Sequence, residues 1–204
     1  MLLECEECME YLINLPGVLI AIVCHEFAHG YMAYLLGDNT AKDQGRLTLN
    51  PIKHIDPMGF IFMLIFRFGW AKPVPINPNN FKKRKRDTFL VSIAGIGTNF
   101  ILAILLAIVI VYFPIVNPYL NNIIIVTMMY NIMLGVFNIL PFPPLDGSKM
   151  LASLLPRKIE YYFYKYERYL YIILIFLVAT RWISRIMAPI INFIIGLIFN
   201  LVIF

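Results

Sequence analysis

The sequence predicts an all-α polytopic membrane protein with about five transmembrane helices, a re-entrant segment and a small membrane-associated β-strand or hairpin. Three observations carry this. Of 204 residues, 60% are hydrophobic and only 14% are charged, against about 45–50% and about 25% in soluble domains. Mean hydropathy is +0.76. The apolar residues also fall in long runs separated by clusters of Lys and Arg. Such a chain lacks the polar residues to cover a water-facing surface, which excludes a cytosolic enzyme, a secreted disulfide scaffold and a disordered module. It reads as one membrane-embedded domain over 1–204, with a core at 15–155 and a C-terminal helical hairpin at 169–204.

The N-terminal stretch carries Glu4, Glu6, Glu7 and Glu10 and no basic residue. It therefore lacks the n-region of a cleavable signal, and the first hydrophobic helix is expected to be retained. Cys5 and Cys8 form a lone C-x-x-C, a weak metal signal, and Cys24 lies in an apolar run. Leu15 to Leu36 has 22 residues, enough to cross a hydrocarbon core of about 30 Å at about 1.5 Å per residue. Phe89 to Phe113 and Ile123 to Leu140 are further spans, the latter closed by a proline cluster. Tyr169 to Phe204 has 36 residues with Arg181 and Arg185 near its middle, which suggests two shorter helices in a hairpin. Met58 to Trp70 has only 13 residues and contains Arg67, so it is expected to dip into the membrane and return. Arg46 to Asn50 alternates polar and apolar residues between Gly45 and Pro51, the pattern of a short strand. Pro73-Val74-Pro75 and Asn77-Pro78 must be extended, because proline forbids helix there.

Basic residues set the orientation. Residues 1–14 and 114–122 contain no Lys or Arg, whereas 38–57, 71–87 and 156–168 are rich in both. The positive-inside rule puts the N-terminus outside and the three basic stretches in the cytoplasm. Both flanks of 58–70 then lie on one side, which agrees with a re-entrant segment. The net charge of +5 includes the run Lys82-Lys83-Arg84-Lys85-Arg86. Beside a membrane span that run is an orientation signal and an anchor to anionic lipid, not a nucleic-acid surface.

The chemistry lies inside the first span, at His25-Glu26-Phe27-Ala28-His29. Positions i and i+4 of a helix share one face, so two imidazoles project a turn apart and can hold one zinc ion, with the intervening glutamate close enough to act on a water. An ionisable residue at bilayer depth costs about 2.5–3.5 kcal/mol on insertion scales, and three polar residues in five accumulate that cost unless they have a function. Zinc needs a third ligand. The other histidine, His54, lies in a connecting loop. The better candidate is Asp146, which follows the broken helix end Pro141-Phe142-Pro143-Pro144 in apolar surroundings. Irregular backbone at membrane depth is tolerated where it lines a cavity. Asp146 can also serve as the N-cap of a following helix, and the two roles are compatible.

His-Glu-x-x-His in the first span and Asn138-x-x-Pro141 with Leu145-Asp146-Gly147 in a later one resemble the site-2 protease family of intramembrane zinc metalloproteases. Gly45-Arg46-Leu47-Thr48-Leu49-Asn50-Pro51, His54-Ile55-Asp56-Pro57 with Gly59, and Gly69-Trp70-Ala71-Lys72-Pro73-Val74-Pro75 extend the likeness to the compact subgroup without PDZ or CBS domains. Ala94-Gly95-Ile96-Gly97-Thr98-Asn99 departs from it by lacking the proline often found after Ala-Gly. The resemblance implies hydrolysis of a peptide bond within or beside the transmembrane helix of a membrane-protein substrate; the small multi-pass architecture itself is compatible with a prokaryotic cytoplasmic membrane. The resemblance also implies one Zn2+ held by His25, His29 and Asp146, with Glu26 as general base and acid. Asn138 is the candidate for an oxyanion donor or a substrate-backbone clamp, or else makes an interhelical hydrogen bond. Asn99 is expected to be structural, and His54 to be a solvated loop residue or a gating group. The 45–50 strand would offer an edge to an unwound substrate, and the site would be fed from the cytoplasmic side. The competing reading is a zinc-binding membrane protein without peptidase activity, a transporter or an inactive scaffold.

Overall fold

Helix α1 (Leu2–Leu35) begins well before its apolar run, because the preceding Leu, Glu and Met residues are good helix formers. Only Asn14–Leu35 of it is apolar enough to cross a membrane. It ends where Gly37 adopts φ +101°. The Gly37 N–H donates to the Tyr34 carbonyl and the Asp38 N–H to the Ala33 carbonyl, at 3.1 and 2.9 Å, closing the helix through the left-handed conformation that glycine adopts without penalty. After the short helix α2 (Thr40–Asp43) the long helices are α3 (Arg84–Tyr112) and α4 (Pro118–Ile139). Pro118 starts α4 and the Asn117 side chain accepts from the Tyr119 and Leu120 N–H groups, a favourable start because proline has no N–H to leave unpaired. Shorter helices α5 (Asp146–Leu154), α6 (Arg157–Lys165) and α7 (Glu167–Ala179) lead to α8 (Trp182–Ile203). This computed structural model describes residues 2–59, 61 and 71–203.

Among the described residues four helices are long and apolar enough to cross a membrane: Asn14–Leu35, Arg84–Tyr112, Pro118–Ile139 and Trp182–Ile203. The predicted C-terminal run does break near its middle, at Thr180 and at Arg181 with φ 59°. Its first limb, α7, has 13 residues and reaches about 20 Å, short of a core of about 30 Å. Helices α1, α3 and α4 pack against one another, and α5 and α8 lie against α3. Ala103, Ala107 and Ile132 are fully buried between them; small residues let membrane helices approach closely.

The expected strand at Arg46–Asn50 does not form. Its main chain is captured locally: the Arg46 N–H donates to the Ala41 carbonyl at 2.8 Å and the Asn50 N–H to Thr48 Oγ1 at 3.2 Å. Asn50 then caps a 3-10 turn over Pro51–Lys53. The β pairing that exists among the described residues is a single antiparallel bridge between Ile55 and Ala71. Most of the predicted re-entrant segment lies outside the described residues. His54 is also not solvated, being only 1% exposed; its Nε2–H donates to the Thr48 carbonyl at 2.8 Å.

Residues 71–77 run as an extended strap across this loop layer. Arg46 Nη2 donates to the carbonyls of Lys72 and Pro73, at 2.9 and 3.2 Å. The Lys72 N–H reaches the His54 carbonyl at 2.9 Å. The Asn77 N–H donates to Asp38 Oδ2 at 2.7 Å. Asp38 is fully buried and also accepts from the Thr40 N–H, the Thr40 hydroxyl and the Asn80 amide. Burial pushes its carboxyl up, but these donors outweigh burial and hold it below the usual carboxylate range.

Candidate metal centre

His25 and His29 project from the same face of α1, as the four-residue spacing requires, and meet Asp146 at the first position of α5. Asp146 Oδ2 lies 3.0 Å from His25 Nε2 and 2.8 Å from His29 Nε2, although 121 and 117 residues separate the partners in sequence. The two Nε2 atoms are themselves 2.9 Å apart. All three side chains are buried, and they form a group whose ligand atoms lie within 4.8 Å of one another. Leu145, not Asp146, occupies the N-cap position of α5, so the aspartate carboxylate is directed at the histidines instead of at its own helix.

The outer nitrogens of the two rings show why this cluster suits a cation. His29 Nδ1 is 2.7 Å from the Val91 carbonyl, which can only accept, so Nδ1 carries the proton. His25 Nδ1 is 2.6 Å from Asn99 Oδ1. That amide is oriented by its other end: Asn99 Nδ2 donates to the Ala21 carbonyl at 3.1 Å and to Asn131 Oδ1 at 2.9 Å. Asn131 Nδ2 in turn donates to the Thr127 carbonyl at 2.8 Å. Both ends of this chain rest on main-chain acceptors, so His25 must also be protonated at Nδ1. Each Nε2 then presents a lone pair, and both face a carboxylate oxygen. With both rings neutral, three electron pairs converge in a buried space. A divalent zinc ion fits that donor set, and the outer hydrogen bonds are the kind that orient metal-ligating histidines.

Glycine makes room for the rings. A Cβ at Gly95 of α3 would lie 2.5 Å from His29 Cε1, 2.6 Å from His29 Nε2 and 2.8 Å from His25 Cε1. A Cβ at Gly147 would collide with the main chain at Ile139, so the residue after Asp146 must also be glycine for α5 to dock on the end of α4. Helix α3 runs unbroken through Ile96, the position where the family proline is absent.

Glu26 lies on the same turn as the histidines. Its Oε2 accepts from the Val74 N–H at 2.8 Å, so the strap reaches the edge of the site. Asn138 is buried near the end of α4, and its Nδ2 donates to the Leu134 carbonyl one turn back at 3.1 Å; that contact lies within its own helix. Asn99, expected to be structural, bonds to Nδ1 of the His25 ring. Sequence reading missed Asn131, Gly95, Val74 and Lys149, whose Nζ lies 3.2 Å from Asp146 Oδ1. For Gly95 and Asn99 a signal existed: four residues apart on α3, they share the face turned toward α1.

A two-histidine, one-carboxylate cluster set among helices long and apolar enough to cross a membrane is a candidate metal centre. Comparison with known proteins agrees. The profile of peptidase family M50 matches residues 115–180. YwhC of Bacillus subtilis, whose name classes it as a zinc metalloprotease, is 40% identical over 183 residues, covering 86% of this chain and 84% of its own length. Rip2 of Mycolicibacterium smegmatis, similarly named, is 28% identical over 183 residues, 86% of this chain and 70% of its own. The zinc metalloprotease MJ0392 of Methanocaldococcus jannaschii is 29% identical over 143 residues, 70% of this chain and 34% of its own. No solved structure matches. The chain belongs to peptidase family M50, the site-2 proteases, and is an intramembrane zinc metalloprotease.

Proposed function

We propose that this chain hydrolyses a peptide bond within or beside the transmembrane helix of a membrane-protein substrate, in the manner of regulated intramembrane proteolysis. The observation that carries the reading is the convergence of His25 Nε2, His29 Nε2 and Asp146 Oδ2 inside the helix bundle, with a glutamate on the same helical turn. His25, His29 and Asp146 would hold a zinc ion, which when bound would supply Lewis acidity for the scissile carbonyl and lower the pKa of water toward about 7. The protein's own groups do the rest. Glu26 accepts the proton of the attacking water and returns it to the leaving amine. Asn99 and the Val91 carbonyl hold the imidazoles in the tautomer that keeps both Nε2 lone pairs inward. Asn138 donates to Leu134 with one amide hydrogen and, in this reading, offers the other to the substrate main chain or the developing oxyanion.

The distribution of Lys and Arg supports an N-terminus outside and a site opening toward the cytoplasm of a prokaryotic membrane. Helices α7 and α8 then form the two limbs of the C-terminal hairpin, with Arg181 at their turn.

The test is cleavage of single-span membrane proteins in proteoliposomes by wild type and Glu26→Gln. The variant should retain one zinc per chain and lose cleavage by at least about 100-fold, the lower bound for removing a general base. Equal cleavage by both overturns the role of Glu26. A wild-type protein that binds no zinc overturns the site.

A further inference from the structure

Within the strap, Pro73-Val74-Pro75 has one N–H group in three residues, because proline has none. That N–H is the one that Glu26 accepts, at 2.8 Å. Three features of the sequence bring it there. Proline on either side keeps the chain extended, so Val74 cannot turn its N–H into a helix or a local turn. Gly30, one residue beyond His29, admits the strap: a Cβ there would lie 3.0 Å from Val74 Cγ1 and 3.3 Å from Leu47 Cδ1. Val74 itself is buried against this face.

The strap is also fixed at both ends. Arg46 holds the carbonyls of Lys72 and Pro73, the His54 carbonyl holds the Lys72 N–H, and Asp38 holds the Asn77 N–H. A lid poised to open would have few such bonds; this segment has one or more on four of its seven residues. It belongs to the rigid frame. A carboxylate on a glutamate side chain has three rotatable bonds and several staggered arrangements, and at a site where a misplacement of about 1 Å can cost about 100-fold in rate it needs a fixed partner.

We propose that the Val74 main-chain N–H is a positioning group for the proteolytic reaction: it holds Glu26 Oε2 so that the other oxygen faces the reacting water. This rests on the function proposed above. The role belongs to a backbone atom, so substitution of side chains alone does not reveal it. Val74→Pro removes the N–H while leaving the strap extended, and replacement of the Val74 amide by an ester removes it while leaving the side chain intact. Both should lower kcat by about 10–100-fold with KM and zinc content unmoved. Val74→Ala, which keeps the N–H and loses two methyl groups, should fall by only about threefold, a cost of packing alone. Val74→Pro and the ester cutting as fast as Val74→Ala overturns the proposal. So does a rise in KM or a loss of zinc in place of the fall in kcat, either of which makes the contact structural. Zinc-loaded wild type that cuts no membrane substrate overturns the proposed function itself, and is distinguished from the former result by the wild-type rate.

Discussion

The helix bundle and the loop layer beside it differ in how far their polar side chains bond to one another. In the bundle the main chain is satisfied within each helix, so His25, Asn99, Asn131 and Asp146 bond to one another across helices. In the layer formed by 38–57 and 71–80, polar side chains are directed at the main chain: Asp38 at Asn77, Arg46 at Lys72 and Pro73, Asn50 at Ile52, His54 at Thr48. A helix leaves its polar side chains available for chemistry, whereas extended and turning segments consume them to satisfy unpaired backbone groups. Glu26 stands at the boundary. A helix carries it, but its hydrogen bond goes to the main chain of the other region.

That division can be broken from either side. The largest effect is expected from Asp146→Ala. Zinc sites of four ligands bind with about 10–16 kcal/mol, so one ligand accounts for about 3–4 kcal/mol, or about 100–1,000-fold in affinity; titration against a competing chelator reads this directly, with cleavage lost in parallel. Next is Gly95→Ala, whose methyl group must displace the His29 ring from a position 2.6 Å away. Zinc affinity should fall by about 10–100-fold, the range seen when ligand-orienting contacts are lost, while the thermal midpoint of the zinc-free protein in detergent changes little. Arg46→Met tests the other region. It frees two carbonyls from a charged donor and should cost about 1.5–3 kcal/mol of stability, read by thermal unfolding, with zinc affinity unmoved. If zinc affinity falls instead, the two regions are not separate.

The smallest effect is a pH dependence. The carboxyl of Asp38 is depressed in the folded protein. Its contribution to stability is therefore complete above the unfolded value of about 3.9 and is lost as pH falls below it. The midpoint of thermal unfolding should decline more steeply below about pH 4 in wild type than in Asp38→Asn. Parallel declines would show that the hydrogen bonds to Asp38 do not favour its charged form.

The same division explains which features the sequence revealed. Helices α1, α3 and α4 were legible because long apolar runs have one favourable arrangement in a bilayer, and His25 and His29 because helical spacing alone places them on one face. Asp146 could be anticipated from the cost of a carboxylate in apolar surroundings. The loop layer was read only in part: the proline-held strap is extended as expected, but the strand is not there. Alternation at Arg46–Asn50 looks like a strand, but Arg46 points inward to hold the strap while Leu49 is exposed; the pattern reflects tertiary partners, which a period-two count does not contain. His54 was misplaced for the same reason. Asn131 and the Val74 N–H act through contacts between helices or through the backbone, and residue type at a single position carries no trace of these; Gly95 is visible only through its spacing from Asn99.

The long sequence separation within the metal centre also sets an order of events during synthesis. Both imidazoles emerge with the first membrane helix, but the carboxylate follows 117–121 residues later. At about 5–20 residues per second, the ribosome leaves the pair without its third ligand for about 6–24 s. The helices that orient His25 and His29 emerge only within that interval, and α5 only at its end. A site assembled this way is incomplete until α1, α3 and α4 have all been made, and of the long apolar helices among the described residues only α8 follows it.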